Sequence, residues 1–81
     1  VTEMKAFIEY VAKTLADHPD SVQITEAEGD DGTTHILELQ CHEDDIGRII
    51  GRNGRTIKAL RTLLTTAAAR NNIRAVLEIA G

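Results

Sequence analysis

Apolar residues open the chain at helical spacing. Met4, Phe7, Ile8, Val11 and Leu15 fall on one face, with Glu3, Lys5, Glu9 and Lys13 on the other, the pattern of an amphipathic helix that needs a core to cover its stripe. His18-Pro19 ends it, because a proline disfavours helical geometry in the residue before it. The period then shortens to two. Val22 and Ile24, with Gln23 and Thr25 between them, read as a strand; Gly29-Asp30-Asp31-Gly32 reads as a hairpin turn; Thr34 to Cys41 reads as a second strand with His35, Leu37, Leu39 and Cys41 on one face. Asp44 and Asp45 are placed to N-cap a short helix from Ile46 to Ile50, and Thr56 to open a longer one. Along the longer helix Ile57, Leu60, Leu64, Ala67 and Ala68 share an inward stripe, and Ile73, Ala75, Leu77 and Ile79 alternate in a last strand. The order is α, β, β, α, α, β, an α+β fold in one domain spanning residues 1–81. A chain of 81 residues buries only about 60 to 65% of its unfolded surface. Nearly every apolar residue is therefore needed for the core, and little is left to enclose a small molecule.

The segment between the two later helices, Ile50-Gly51-Arg52-Asn53-Gly54-Arg55-Thr56-Ile57, breaks both periods. Its glycines permit positive φ and remove the β-carbons that would hold a ligand at a distance. Arg52 and Arg55 bring cationic donors to the same place, while Ile50 and Ile57 anchor the flanks. The exposed N–H groups of Arg52 to Arg55 and the N-terminus of the following helix suit a phosphate. A nucleotide-hydrolysing P-loop is excluded, since it would need a glycine at Ile49 and a lysine at Arg55.

Helix, G-x-x-G turn and helix together are the signature of the KH module, whose loop clamps about four nucleotides of backbone. The run from Asp45 to Ile57 resembles the core of small bacterial single-KH proteins of the KhpA type. Their loop is usually Gly-Lys-x-Gly-Arg, so Arg52 departs from it while keeping the charge. The element order matches the type II arrangement rather than type I, which begins with a strand. The resemblance implies a three-stranded sheet with three helices packed on one face, and it covers essentially the whole chain. It also implies single-stranded RNA as ligand, a cytoplasmic role as RNA chaperone or post-transcriptional regulator, self-association through the long helix, and pairing with a larger Jag-type KH protein linked to cell elongation and division. Pairing with RNA incidental is the rival reading, and single-stranded DNA a lesser alternative. In such a module the short helix walls the nucleotide groove. Gly47 would let a base or sugar lie against that helix, or would instead serve close packing against a neighbouring helix. Ile46, Ile49, Ile50 and Ile57 divide between groove floor and core in a way the sequence leaves open.

Net charge is −4, which by itself disfavours nucleic acid. Its distribution reverses that. From Val1 to Asp45 two basic residues face twelve acidic ones, whereas from Ile46 onward seven basic residues, Arg48, Arg52, Arg55, Lys58, Arg61, Arg70 and Arg74, face Glu78 alone. Gly47, Arg48, Ile50, Gly51, Arg52, Asn53, Gly54, Arg55, Thr56, Lys58 and Arg61 form the expected RNA-binding set. Ala59, Leu63, Thr66 and Arg70 lie on another flank of the long helix, either as a peripheral core contact or as the face of a two-fold homodimer. Phe7 and Tyr10 are the only aromatics, too few for modules that stack bases on aromatic platforms. A lone Cys41 indicates a reducing compartment and no disulfide framework. No stretch approaches the roughly 18 apolar residues of a membrane span. His18, His35 and His42 show no zinc-ligand spacing, and no nucleophile stands with a base. Neither a metal, a cofactor nor a catalytic site is expected.

Overall fold

The computed structural model describes residues 2–80; the outermost residue at each end of the expected domain lies outside the described residues. Alternation in β1 (Gln23–Glu28), β2 (Thr34–Gln40) and β3 (Arg74–Ala80) puts Ile24, Leu37, Leu39, Ala75 and Leu77 on one buried sheet face. β2 is central. β1 pairs with it antiparallel across the Gly29–Gly32 turn, and β3 pairs with it parallel. A parallel neighbour demands a long crossover, and α2 (Ile46–Ile50) and α3 (Arg55–Arg70) provide it. The hairpin turn is tied by Asp31, whose carboxylate accepts the Thr33 and Thr34 N–H groups at 2.9 and 2.8 Å and the Thr34 hydroxyl at 2.7 Å.

The core is completed by Ile8 and Ala12 of α1 (Thr2–Leu15), Ile49 of α2, and Ile57, Leu60, Leu64 and Ala68 of α3. Met4, Val11 and Leu15 pack against it as expected, but Phe7 is 45% exposed. Ala12 is fully buried in the core instead. Cys41 falls just past β2 and is half-buried against the core. Among the described residues no helix is long and apolar enough to cross a membrane.

Asp45 corrects the capping expectation. It is fully buried and makes no side-chain cap to α2. Its two oxygens instead accept the backbone N–H groups of Asp17 and His18 at 3.0 and 2.9 Å, tying the chain after α1 to the start of α2. The residue that caps the short turn is His42, whose Nδ1 accepts the Asp44 N–H at 3.1 Å. Burial pushes the Asp45 carboxyl up, but the N–H groups of Asp17 and His18 and the His18 ring outweigh it and hold the group below the usual carboxylate range.

Candidate nucleic-acid interface

Between α2 and α3 the backbone enters left-handed space three times: Gly51 (φ 81°), Asn53 (φ 57°) and Gly54 (φ 72°). Asn is among the few L-residues that tolerate this region, so the sequence Gly-Arg-Asn-Gly is locally suited to its turn. Gly51 is required twice over. A Cβ there would lie 2.7 Å from Thr56 Cβ and 2.9 Å from the Thr56 nitrogen. Gly54 caps α3, which begins at Arg55, one residue before the expected Thr56.

Hydrogen bonds inside the turn consume part of the expected donor set. The Gly51 N–H donates to the Gly47 carbonyl at 2.9 Å, the Gly54 N–H to the Gly51 carbonyl at 3.0 Å, and the Arg55 N–H to the Arg52 carbonyl. The Arg52 and Asn53 N–H groups have no backbone acceptor among the described residues. Of the four N–H groups read as exposed, two are therefore committed to the turn and two are available.

The cations divide in the same way. Arg52, Arg55 and Lys58 are exposed and have no carboxylate within ion-pair distance among the described residues. Arg48 is not a free cation: its Nη2 lies 2.9 Å from Asp17 Oδ2 and its Nε 3.9 Å from Asp45 Oδ1. Arg61 donates from Nε to the Leu77 carbonyl at 3.2 Å, reaching from α3 to β3. Arg70 sits fifteen residues along α3 from Arg55, about 22 Å away at the rise of an α-helix, and contributes nothing near the turn.

The isoleucines are also apportioned. Ile49 and Ile57 are core, while Ile46 and Ile50 are half-buried at the two ends of α2, Ile50 leading into the turn. Gly47 is exposed, and a Cβ built there meets nothing within 4 Å. Close packing against another helix therefore does not explain this glycine. On α3, Ala59, Leu63, Thr66 and Arg70 are all exposed, with Leu63 at 52%. Leu63 lines a surface groove with Met4 and Phe7 of α1 and Ile73 before β3.

Comparison with known proteins agrees with this geometry. The family model described as KhpA/KhpB, KH domain, matches residues 5–79. An RNA-binding protein KhpA of Chlamydia pneumoniae is 53% identical over 78 residues, covering 94% of this chain and 95% of the relative. One of the same name from Halalkalibacterium halodurans is 45% identical over 76 residues, covering 94% and 97%. Among solved structures, a crystal structure of Aquifex aeolicus Era superposes with a TM-score of 0.58 at 20% identity. That match covers 94% of this chain, which spans only 29% of the Era chain, and it bears on the fold alone. With a glycine turn between two helices, a mixed three-stranded sheet beneath them and relatives matched almost end to end, the chain belongs to the KhpA/KhpB KH-domain family.

Proposed function

We propose that the protein binds single-stranded RNA through a backbone clamp at Gly51-Arg52-Asn53-Gly54, and acts in the cytoplasm as an RNA chaperone or post-transcriptional regulator with no catalysis of its own. The observation that carries this reading is the coincidence, at one turn, of the Arg52 and Asn53 N–H groups with the cations Arg52, Arg55 and Lys58, none of which has a backbone acceptor or carboxylate partner among the described residues. The dipole of α3 adds positive potential at the same end. The bare helix surface at Gly47 leaves room for a base or sugar. The names of the relatives, RNA-binding protein KhpA, support the same ligand.

The test replaces Arg52 and Asn53 together by Asp. The glycines keep the turn, Asp tolerates the left-handed conformation at position 53, and the two carboxylates repel phosphates at the point of closest approach. The variant folds like wild type by circular dichroism and loses RNA binding in a fluorescence anisotropy titration. For the wild type, log K falls with log salt by about 0.7 per phosphate neutralised on a single strand, and Arg55→Ala makes that slope shallower. Near-wild-type affinity in the double variant, or affinity indifferent to salt, removes the clamp as the binding site.

A second reading is favoured by exposed Leu63 and Phe7 bordering one apolar groove. In it α3 is the contact between two copies, or with a Jag-type KH partner, and the small side chains of Ala59 and Thr66 permit close approach. The two readings are compatible, since one clamp per chain binds weakly and a dimer supplies avidity.

A further inference from the structure

Two histidines that are far apart in the chain meet face to face at the junction of α1 with α2. The His18 and His42 rings stack with centroids 4.0 Å apart and planes 15° from parallel, and potential ligand atoms of His18, His42 and Asp44 all lie within 4.8 Å of one another. We propose that these three residues bind a divalent transition-metal ion of the zinc class. The chemistry selects the ion: two imidazole nitrogens and one carboxylate oxygen suit zinc and its neighbours, whereas magnesium and calcium want an all-oxygen shell.

One ligand is already held in the manner of a metal-binding histidine. His18 Nδ1 lies 3.3 Å from Oδ2 of Asp45, a buried carboxylate itself fixed by the Asp17 and His18 N–H groups. That partner assigns the proton of neutral His18 to Nδ1 and leaves the Nε2 lone pair free. Carboxylate, histidine and metal in this order are the usual way an outer partner orients a ligand. The second imidazole needs one exchange. His42 Nδ1 accepts the Asp44 N–H, with Asp44 Oδ2 at 3.6 Å from the same nitrogen. Because parallel rings direct their lone pairs along parallel planes, one ring turns about χ2, a soft torsion, when both share an ion. This exchange makes the site weaker than a preformed structural zinc site. All three side chains reach solvent, so an ion has an entry path and water completes the coordination. Cys41 stands outside the cluster and is half-buried against the core. A bound ion would fasten the segment after α1 to the start of α2, the helix that ends at the Gly51 turn, and would reinforce the contact already made by Arg48 and Asp17.

The site is independent of the RNA reading and is tested on tag-free protein by calorimetric titration with Zn2+. Wild type takes up one ion per chain and its melting temperature rises with Zn2+. His18→Gln and His42→Gln each lower affinity at least about tenfold, the loss that removal of even an outer partner brings. His35→Gln, which alters the remaining histidine beside Glu26 on the sheet, leaves it unchanged. No uptake by wild type, wild-type affinity in the His18→Gln/His42→Gln double variant, or a loss that follows His35 instead, overturns the proposal. Should either glutamine variant lose its circular dichroism spectrum, substoichiometric Co2+ added to the wild type decides the matter by NMR. The ring signals of His18 and His42 then shift or broaden ahead of those of His35, and equal effects on all three refute the site.

Discussion

Gly51 and Gly54 are the same residue with different constraints. Gly54 needs only its positive φ: a Cβ there has open room, its nearest neighbour being Ile57 Cγ2 at 4.0 Å. Gly54→Ala should therefore lower unfolding free energy by about 1–2 kcal/mol, the left-handed penalty of an L-residue. Gly51, at φ 81° and ψ 169°, lies where few residues but glycine go and where a Cβ would also run into Thr56. Gly51→Ala should exceed the Gly54 loss, by about 1 kcal/mol or more once overpacking is added. Urea denaturation of the two variants checks the ranking, and a larger loss at Gly54 contradicts it. Gly47 is the converse case. With nothing near its missing Cβ, Gly47→Ala should stabilise the short helix by about 0.5–1 kcal/mol while weakening RNA binding. An alanine variant with undiminished affinity would mean that no nucleotide lies against α2. The glycine pair was legible as a turn from its spacing; which glycine is crowded depends on Thr56 folding back, and only the packed turn shows it.

At the scale of elements, the three strands, the first helix and the long helix were legible from periods of two and near 3.6, the short helix from the acidic residues before it, and the errors sit at their ends. Asp45 looked like a cap for α2 because Asp before an apolar run usually is one. Its side chain turned instead to two N–H groups after α1, an option that exists only once α1 has packed beside α2. The charge of Asp45 is thereby tied to stability. Its folded-state pKa lies below the ordinary value, so its contribution is present above about pH 4 and is lost as pH falls through the depressed value. Asp45→Asn should melt below wild type at pH 7, and the gap should close as pH is lowered from 4 towards 2. A gap that stays constant over that range would mean the carboxylate's charge is not what holds the junction.

For the whole molecule, the segregation of charge matters more than its sum. Acidic residues crowd the first half, while Arg52, Arg55 and Lys58, without a carboxylate partner among the described residues, cluster where α2 gives way to α3, so an acidic protein carries a positive patch there. The apolar groove of Met4, Phe7, Leu63 and Ile73 lies apart from that surface. If it is where two copies meet, Leu63→Asp should give a folded monomer by light scattering. Its affinity should fall roughly tenfold or more for RNA long enough to engage two clamps, with little change for a tetranucleotide. A wild type that is monomeric at tens of micromolar, or a variant that still dimerises, rules this out.

Periodicity, proline, glycine spacing and charge order are properties of neighbours in the chain, and they sufficed for the element order, the α+β class and the position of the glycine turn between α2 and α3. Properties that depend on which distant residues meet were not available there. The burial of Asp45, the pairing of Arg48 with Asp17, the tether from Arg61 to Leu77 and the stacking of His18 on His42 all join residues from separate elements. Each partner is set by how α1 and the α2–α3 crossover lie against the sheet, and only tertiary packing decides that.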